Sequence, residues 1–156
     1  MGYRHIGNLY SDQTILQFRE CYATEKVHGT SAHVAWKDGQ IHLFPGGCKL
    51  STFETCFDLP DLTERIRLME KESMTVFGEQ YGGKQQGMSQ HYGPDPKFIA
   101  FEVRIGDYWL DVPSANAVAD RLGLEFVPWA KIPCTLEDID RERDRDSIVS
   151  IRRFEV

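Results

Sequence analysis

The sequence predicts an α+β domain built from antiparallel hairpins and short helices. Alternating apolar stretches meet at the turn dipeptides Asp38-Gly39 and Gly106-Asp107, and segments with apolar residues at helical spacing lie between them. No internal repeat or Gly/Ser linker divides the 156 residues, and 41% apolar content fits one domain with a packed core.

The elements follow in order. Tyr22 to Trp36 alternates as a strand, turns at Asp38-Gly39, and continues through Ile41 and Leu43 to Pro45-Gly46-Gly47, so the spacing predicts a hairpin. Leu62, Ile66 and Met69 recur at helical spacing after Pro60-Asp61, which predicts an amphipathic helix over 61–72. Met74 to Gln80 reads as a strand. Tyr81 to Lys97, with four glycines and two prolines, reads as a loop longer than a simple connection, of the kind that closes over ligands. Phe98 to Ile105 and Tyr108 to Val112 form a second hairpin, Pro113-Ser114 opens a helix that Gly123 closes, and Leu124 to Val127 is a further strand. Thr135-Leu136-Glu137-Asp138 has the form of a capping box, with Asp138 where Glu is preferred, and begins a last, highly charged helix.

Composition narrows the function classes. No apolar run approaches the ~20 residues that span a bilayer, and the N-terminus lacks a signal-peptide stretch, so a cytoplasmic protein with no membrane partner is expected. Cys21, Cys48, Cys56 and Cys134 form no Cys-x-x-Cys pair and read as reduced thiols. His33 and His42 read as ordinary residues of a half-exposed hairpin, and no protein metal site is expected. The net charge is −6; residues 1–49 carry +1 and residues 50–156 carry −7. A polyanion is usually held by clustered Lys and Arg, so any nucleic-acid contact is confined to a cleft or lies outside this chain.

Three motifs carry chemistry. Thr24-Glu25-Lys26-Val27-His28-Gly29-Thr30 places a lysine near a glycine; Val76-Phe77-Gly78-Glu79-Gln80-Tyr81-Gly82-Gly83 follows about fifty residues on, and then Phe98-Ile99-Ala100-Phe101-Glu102-Val103. A bare Lys-x-His-Gly is weak, because any strand can end in a glycine turn. In that order the three resemble motifs I (26–29), III (76–82) and IIIa (98–103) of ATP-dependent RNA ligases in the covalent nucleotidyltransferase superfamily. The third position of motif I is usually Asp; His28 resembles the phage-type, double-strand-repair branch.

The resemblance implies an antiparallel-sheet, ATP-grasp-like adenylation domain in which Lys26 attacks ATP and becomes lysyl-AMP. Such a nucleophile must lose its proton, although a free lysine has pKa about 10.4; partial burial in a hairpin cleft and neighbouring cations are the expected means. The resemblance further implies that Glu25 accepts from the adenine amino group, turned away from Lys26 by strand alternation. It gives Glu79 the ribose hydroxyls and Phe101 the adenine face, with Val27, His28 and Gly29 beside the nucleotide. Lys49, after Pro45-Gly46-Gly47-Cys48, is a candidate phosphate ligand; an ordinary turn is an equal alternative. Singly, Phe101 also reads as core, Glu79 as a surface strand residue and Glu25 as a local ion-pair partner. The implied cofactors are ATP and Mg²⁺, with Mn²⁺ as a substitute, and the implied partners are RNA ends or a nicked RNA duplex.

The resemblance ends near Asp146. A Glu-Gly-x-Val-like motif IV and a Lys-x-Lys-like motif V are absent from Ser147 to Val156, and Ser31 stands where related ligases often have asparagine. The expectation is therefore a partial, C-terminally truncated domain over 1–156 with exposed sheet edges, prone to self-association or to pairing with a complementary C-terminal fragment. If the protein is phage-encoded, the cytoplasm is the host's. A non-catalytic nucleotide- or RNA-binding remnant is the alternative of another class; DNA ligase and capping enzyme are alternatives within the same class.

Overall fold

The computed structural model describes Tyr3 and residues 7–151. After a 3-10 turn at Thr14–Gln17 come β1 (Glu20–Thr24), β2 (Thr30–Lys37), β3 (Gln40–Phe44), α1 (Leu50–Glu54), α2 (Leu59–Leu68) and β4 (Ser73–Gly82). A second 3-10 turn (Gln85–Gly87) and α3 (Ser89–Tyr92) lead to β5 (Pro96–Ile105), β6 (Tyr108–Trp109), α4 (Val112–Leu122), β7 (Glu125–Phe126), β8 (Trp129–Pro133) and α5 (Leu136–Arg143).

The strands form two sheets. A six-stranded sheet runs β3-β2-β4-β5-β6, with β7 also on β5, and β1 pairs with β8 in a two-stranded sheet. The α+β, antiparallel expectation holds, apart from the parallel pair of β7 with β5 at Ile99↔Glu125 and Ala100↔Phe126. The expected hairpin turn sits between β2 and β3, where Asp38 and Gly39 both take positive φ, 52° and 73°. This left-handed pair matches the twist of the flanking strands.

One face of the large sheet makes the main core. Ala32, Val34 and Trp36 of β2, Met74 and Val76 of β4, and Phe98, Ala100 and Val103 of β5 pack against Phe53 of α1, Leu62 and Ile66 of α2, and the Ala115, Val118, Ala119 and Leu122 stripe of α4. The helices begin where side chains can satisfy free N–H groups: Asp58 accepts from Asp61 N–H, Asp111 from Ser114 N–H and Thr135 from Asp138 N–H. Gly123, at φ 69°, closes α4 in the left-handed conformation.

Several elements depart from expectation. The helix expected over 61–72 starts earlier, behind the Asp58 cap, and stops at Leu68. Strand pairing after the Gly106 turn is confined to Tyr108–Trp109, because Asp111 begins α4. The long Tyr81 to Lys97 loop contains the end of β4, α3 and the start of β5. The largest departure is at Tyr22 to Trp36, where one expected strand is two, in different sheets, joined by residues 25–29. Two contacts account for the break. A Cβ on Gly29 would lie 2.1 Å from the Gln80 carbonyl oxygen, so the backbone must press onto β4 there, and Val27 is drawn into a second buried cluster with Tyr81, Tyr92, Ile99 and Val127. The chain crosses between the sheets again after β7, where Val127 N–H donates to Ala100 O, and Glu25 N–H donates to Pro128 O at 2.9 Å. Residues 25–29 therefore lie where the two sheets join.

Candidate active site

Lys26 is exposed on this junction loop, not partly buried in a hairpin. Three elements hold the backbone beyond it. Tyr92 Oη accepts from His28 N–H at 3.3 Å, the Glu79 carboxylate accepts from Gly29 N–H, and Gln86 Nε2 donates to Gly29 O at 3.2 Å. Gln86 does so from a positive φ of 54°. A non-glycine residue in that region is uncommon, and such strain persists where surrounding contacts fix it.

Glu79 lies on β4 opposite Ser31 of β2. Burial pushes its carboxyl above the ordinary carboxylate range, while the Lys26 charge and the Gly29 N–H pull the other way. Lys26, Val27, His28, Gly29 and Glu79 are thus brought together, with an amine and a carboxylate close enough to interact. Tyr92, raised chiefly by burial and also by the Glu25 and Glu79 charges, keeps its phenol proton.

Phe101 owes its direction to a bulge. Phe77 pairs with Glu102 and Gly78 with Ala100, leaving Phe101 as the extra residue on β5. Alternation resets there: Ile99 and Phe101 join the second cluster, whereas Val103 lies in the main core. The simple alternation of Ile99, Phe101 and Val103 is therefore corrected. The Tyr3 ring meets Phe101 edge-on at 4.9 Å.

Glu25 departs furthest from expectation. It follows the last residue of β1, so strand alternation does not orient it. Its carboxylate accepts from the Ser147 hydroxyl, from Ile148 N–H at 2.9 Å and from Val149 N–H at 3.3 Å. Lys49 is exposed at the start of α1. The preceding turn packs on β2, with Gly47 N–H donating to Thr30 Oγ1 at 2.8 Å, which brings the turn near Gly29.

A cavity of about 370 Å³ opens beside the loop, lined by Glu25, Lys26, Trp129, Arg143, Arg145 and Asp146 among others. Its arginines are engaged: Arg143 pairs with Asp140 at 2.7 Å and Asp144 at 2.9 Å, and Arg145 with Glu142 at 2.7 Å. Among the described residues no group of three or more His, Cys, Asp or Glu side chains could hold a metal ion, and no helix is long and apolar enough to cross a membrane. The four cysteines are unpaired, and His33 stacks on Phe44 at 4.2 Å, its imidazole pKa lowered by burial. Sequence reasoning missed Tyr92, Gln86 and Ser147; only the length of the Tyr81 to Lys97 loop pointed toward the first two.

The model of the RNA ligase family matches residues 19–149, which include every element from β1 to α5. The chain belongs to the RNA ligase family. No curated protein is similar enough to this RNA ligase-family chain to count as a match. Among solved structures it is similar to the Naegleria gruberi RNA ligase in a form with AMP and Mn, at TM-score 0.72 and 15% identity over 90% of this chain and 46% of that one. A form of the same ligase with ATP and Mn matches at TM-score 0.70 and 16% identity, over 90% and 46%. An archaeal ATP-dependent RNA ligase matches at TM-score 0.65 and 23% identity, over 85% and 38%. The chain thus spans less than half the length of these ligases, and the likeness is one of fold.

Proposed function

We propose that the chain is the nucleotide-charging part of an ATP-dependent RNA ligase. The observation that carries the reading is the packing of Glu79 against Gly29 of the loop that bears Lys26, where the two sheets join, within a family match over 19–149. The Lys26 Nζ lone pair forms a bond to the α-phosphorus of ATP, the bond from that phosphorus to the bridging oxygen breaks, pyrophosphate leaves, and Nζ gives up a proton. The product is lysyl-AMP. AMP then passes to an RNA 5′-phosphate, and a 3′-hydroxyl displaces it to seal the ends.

Each candidate has physical support for its part. Glu79 is an acceptor suited to ribose hydroxyls, Phe101 supplies an aromatic face at the bulge, and Lys49 stands on the glycine turn beside β2. ATP and Mn accompany one form of the Naegleria gruberi ligase named above, and AMP and Mn another. A divalent ion, Mg²⁺ or Mn²⁺, is proposed to arrive with the triphosphate substrate, as such ions are commonly bound through phosphate oxygens. The proposal extends to a partner strand: β1 and β8 have no further strand on their outer edges among the described residues, and a complementary C-terminal segment or a second copy would pair there.

A nucleotide- or RNA-binding unit that does not transfer AMP is the second reading. It is favoured by the engagement of Arg143 and Arg145 with carboxylates, which takes up positive charge beside Lys26. Incubation with α-labelled ATP and Mg²⁺, read by denaturing gel and intact mass, separates the two. An acid-labile AMP adduct on wild type and none on Lys26→Ala supports the first. A folded protein that binds ATP without forming an adduct sinks it in favour of the second.

A further inference from the structure

The groups proposed to receive a base are already engaged by the chain itself. Besides its three bonds to Glu25, the segment Ser147–Ile151 is tied at its far end, where Ile151 N–H and Ser150 Oγ donate to His91 O at 2.7 and 3.3 Å. Ser147 Oγ also accepts from Ser150 N–H at 3.0 Å, which holds the turn. Val149 rests on the cluster of Val27, Tyr81, Tyr92, Ile99 and Val127, against which Phe101 also packs. From the other end of the chain, Tyr3 covers Phe101 and hydrogen-bonds Glu102.

These contacts use the same chemistry that a purine nucleotide would use. A carboxylate accepts from backbone N–H groups as it accepts from an exocyclic amino group, and an edge-on tyrosine takes up aromatic surface on which a base could stack. The attachment is mostly polar: Ile148 and Ile151 are 66% and 68% exposed, so little apolar burial resists release. Segments with few buried apolar contacts open at low cost.

We propose that Ser147–Ile151 is a strap which, together with Tyr3, occupies the base end of the cleft and is displaced when ATP binds. The inference rests on the nucleotide-charging reading. A site that must first open binds with an affinity reduced by its open fraction, so loosening the strap strengthens ATP binding.

The test uses the intact chain, calorimetric titration with ATP and Mg²⁺, and amide hydrogen exchange at Ile148 and Val149. In wild type, ATP is expected to speed exchange at both amides. Ser147→Ala, which removes one hydrogen bond to a charged group, is expected to tighten ATP binding by roughly tenfold, and Tyr3→Leu to tighten it further. Slower exchange with ATP, together with weaker binding by Ser147→Ala, would overturn the strap and make the segment a wall of the site. The wild-type exchange experiment decides the matter even if a variant fails to fold. Absence of ATP binding in the wild type and every variant would instead overturn the nucleotide reading and the strap with it.

Discussion

Gly29 is a tightly constrained backbone position in the candidate site, and Gly29→Ala tests the site at a single atom. The added Cβ would lie 2.1 Å from Gln80 O, 2.9 Å from Gln80 C and 3.0 Å from Glu79 Cγ. Ordinary contact begins near 3.4 Å, so the two backbones must separate by about 1.3 Å. Gln80 cannot give way readily: it is 1% exposed and sits between partners on both sides, opposite Thr30 of β2 and Phe98 of β5. The loop has to move, and Gly29 N–H then leaves the Glu79 carboxylate. Overpacking of this kind costs about 1–3 kcal/mol of stability, measurable by urea unfolding. A displacement of ~1 Å at a reacting group can cost 10²-fold in rate. Lysyl-AMP formation per folded molecule, followed by intact mass, should fall by about that factor. If Gly29→Ala charges at the wild-type rate when corrected for folded fraction, the contact with β4 does not position Lys26 and the reasoning fails.

Two further predictions concern the groups that meet this loop. Tyr92→Phe keeps the buried ring but leaves His28 N–H without its phenolic acceptor; a loss of about 1 kcal/mol in stability is expected, with slower charging and little change in ATP affinity, and an unchanged single-turnover rate would restrict Tyr92 to a structural part. Glu79→Gln tests the raised carboxyl. Because burial raises its pKa in the folded state, the folded protein holds this proton more tightly than the unfolded chain, so ionisation of Glu79 weakens folding as pH rises through the window just above the ordinary carboxylate range. The variant should therefore be more stable than wild type at neutral pH and lose that advantage below the window, as thermal melts across pH would show; an advantage that grows on acidification would contradict the assigned direction.

What could be read from the sequence was local in the chain. Asp38-Gly39 fixes its turn through its own dihedral preferences, Gly123 ends α4 by going left-handed, and the Thr135–Asp138 cap spans only three residues. Two of the motifs also touch, because Glu79 of β4 packs on Gly29 of the Lys26 loop. The break after Thr24 was hidden, since its cause is a carbonyl on β4 that Gly29 can approach and no other residue could. So was β8, whose register against β1 joins Glu20 to Pro133 and Thr24 to Trp129 without a turn to announce it. The orientation of Phe101 depends on one unpaired residue between two strands, which an alternating pattern does not encode. Glu25 shows the limit most clearly. Its position beside Lys26 suggests a part in nucleotide binding, but its partners Ser147, Ile148 and Val149 lie more than a hundred residues away, and two of them bond through backbone N–H groups that any residue but proline has. A motif can thus identify an acceptor without identifying the donor that occupies it, and the state of this site before nucleotide arrives is set by chain geometry that the motif does not contain.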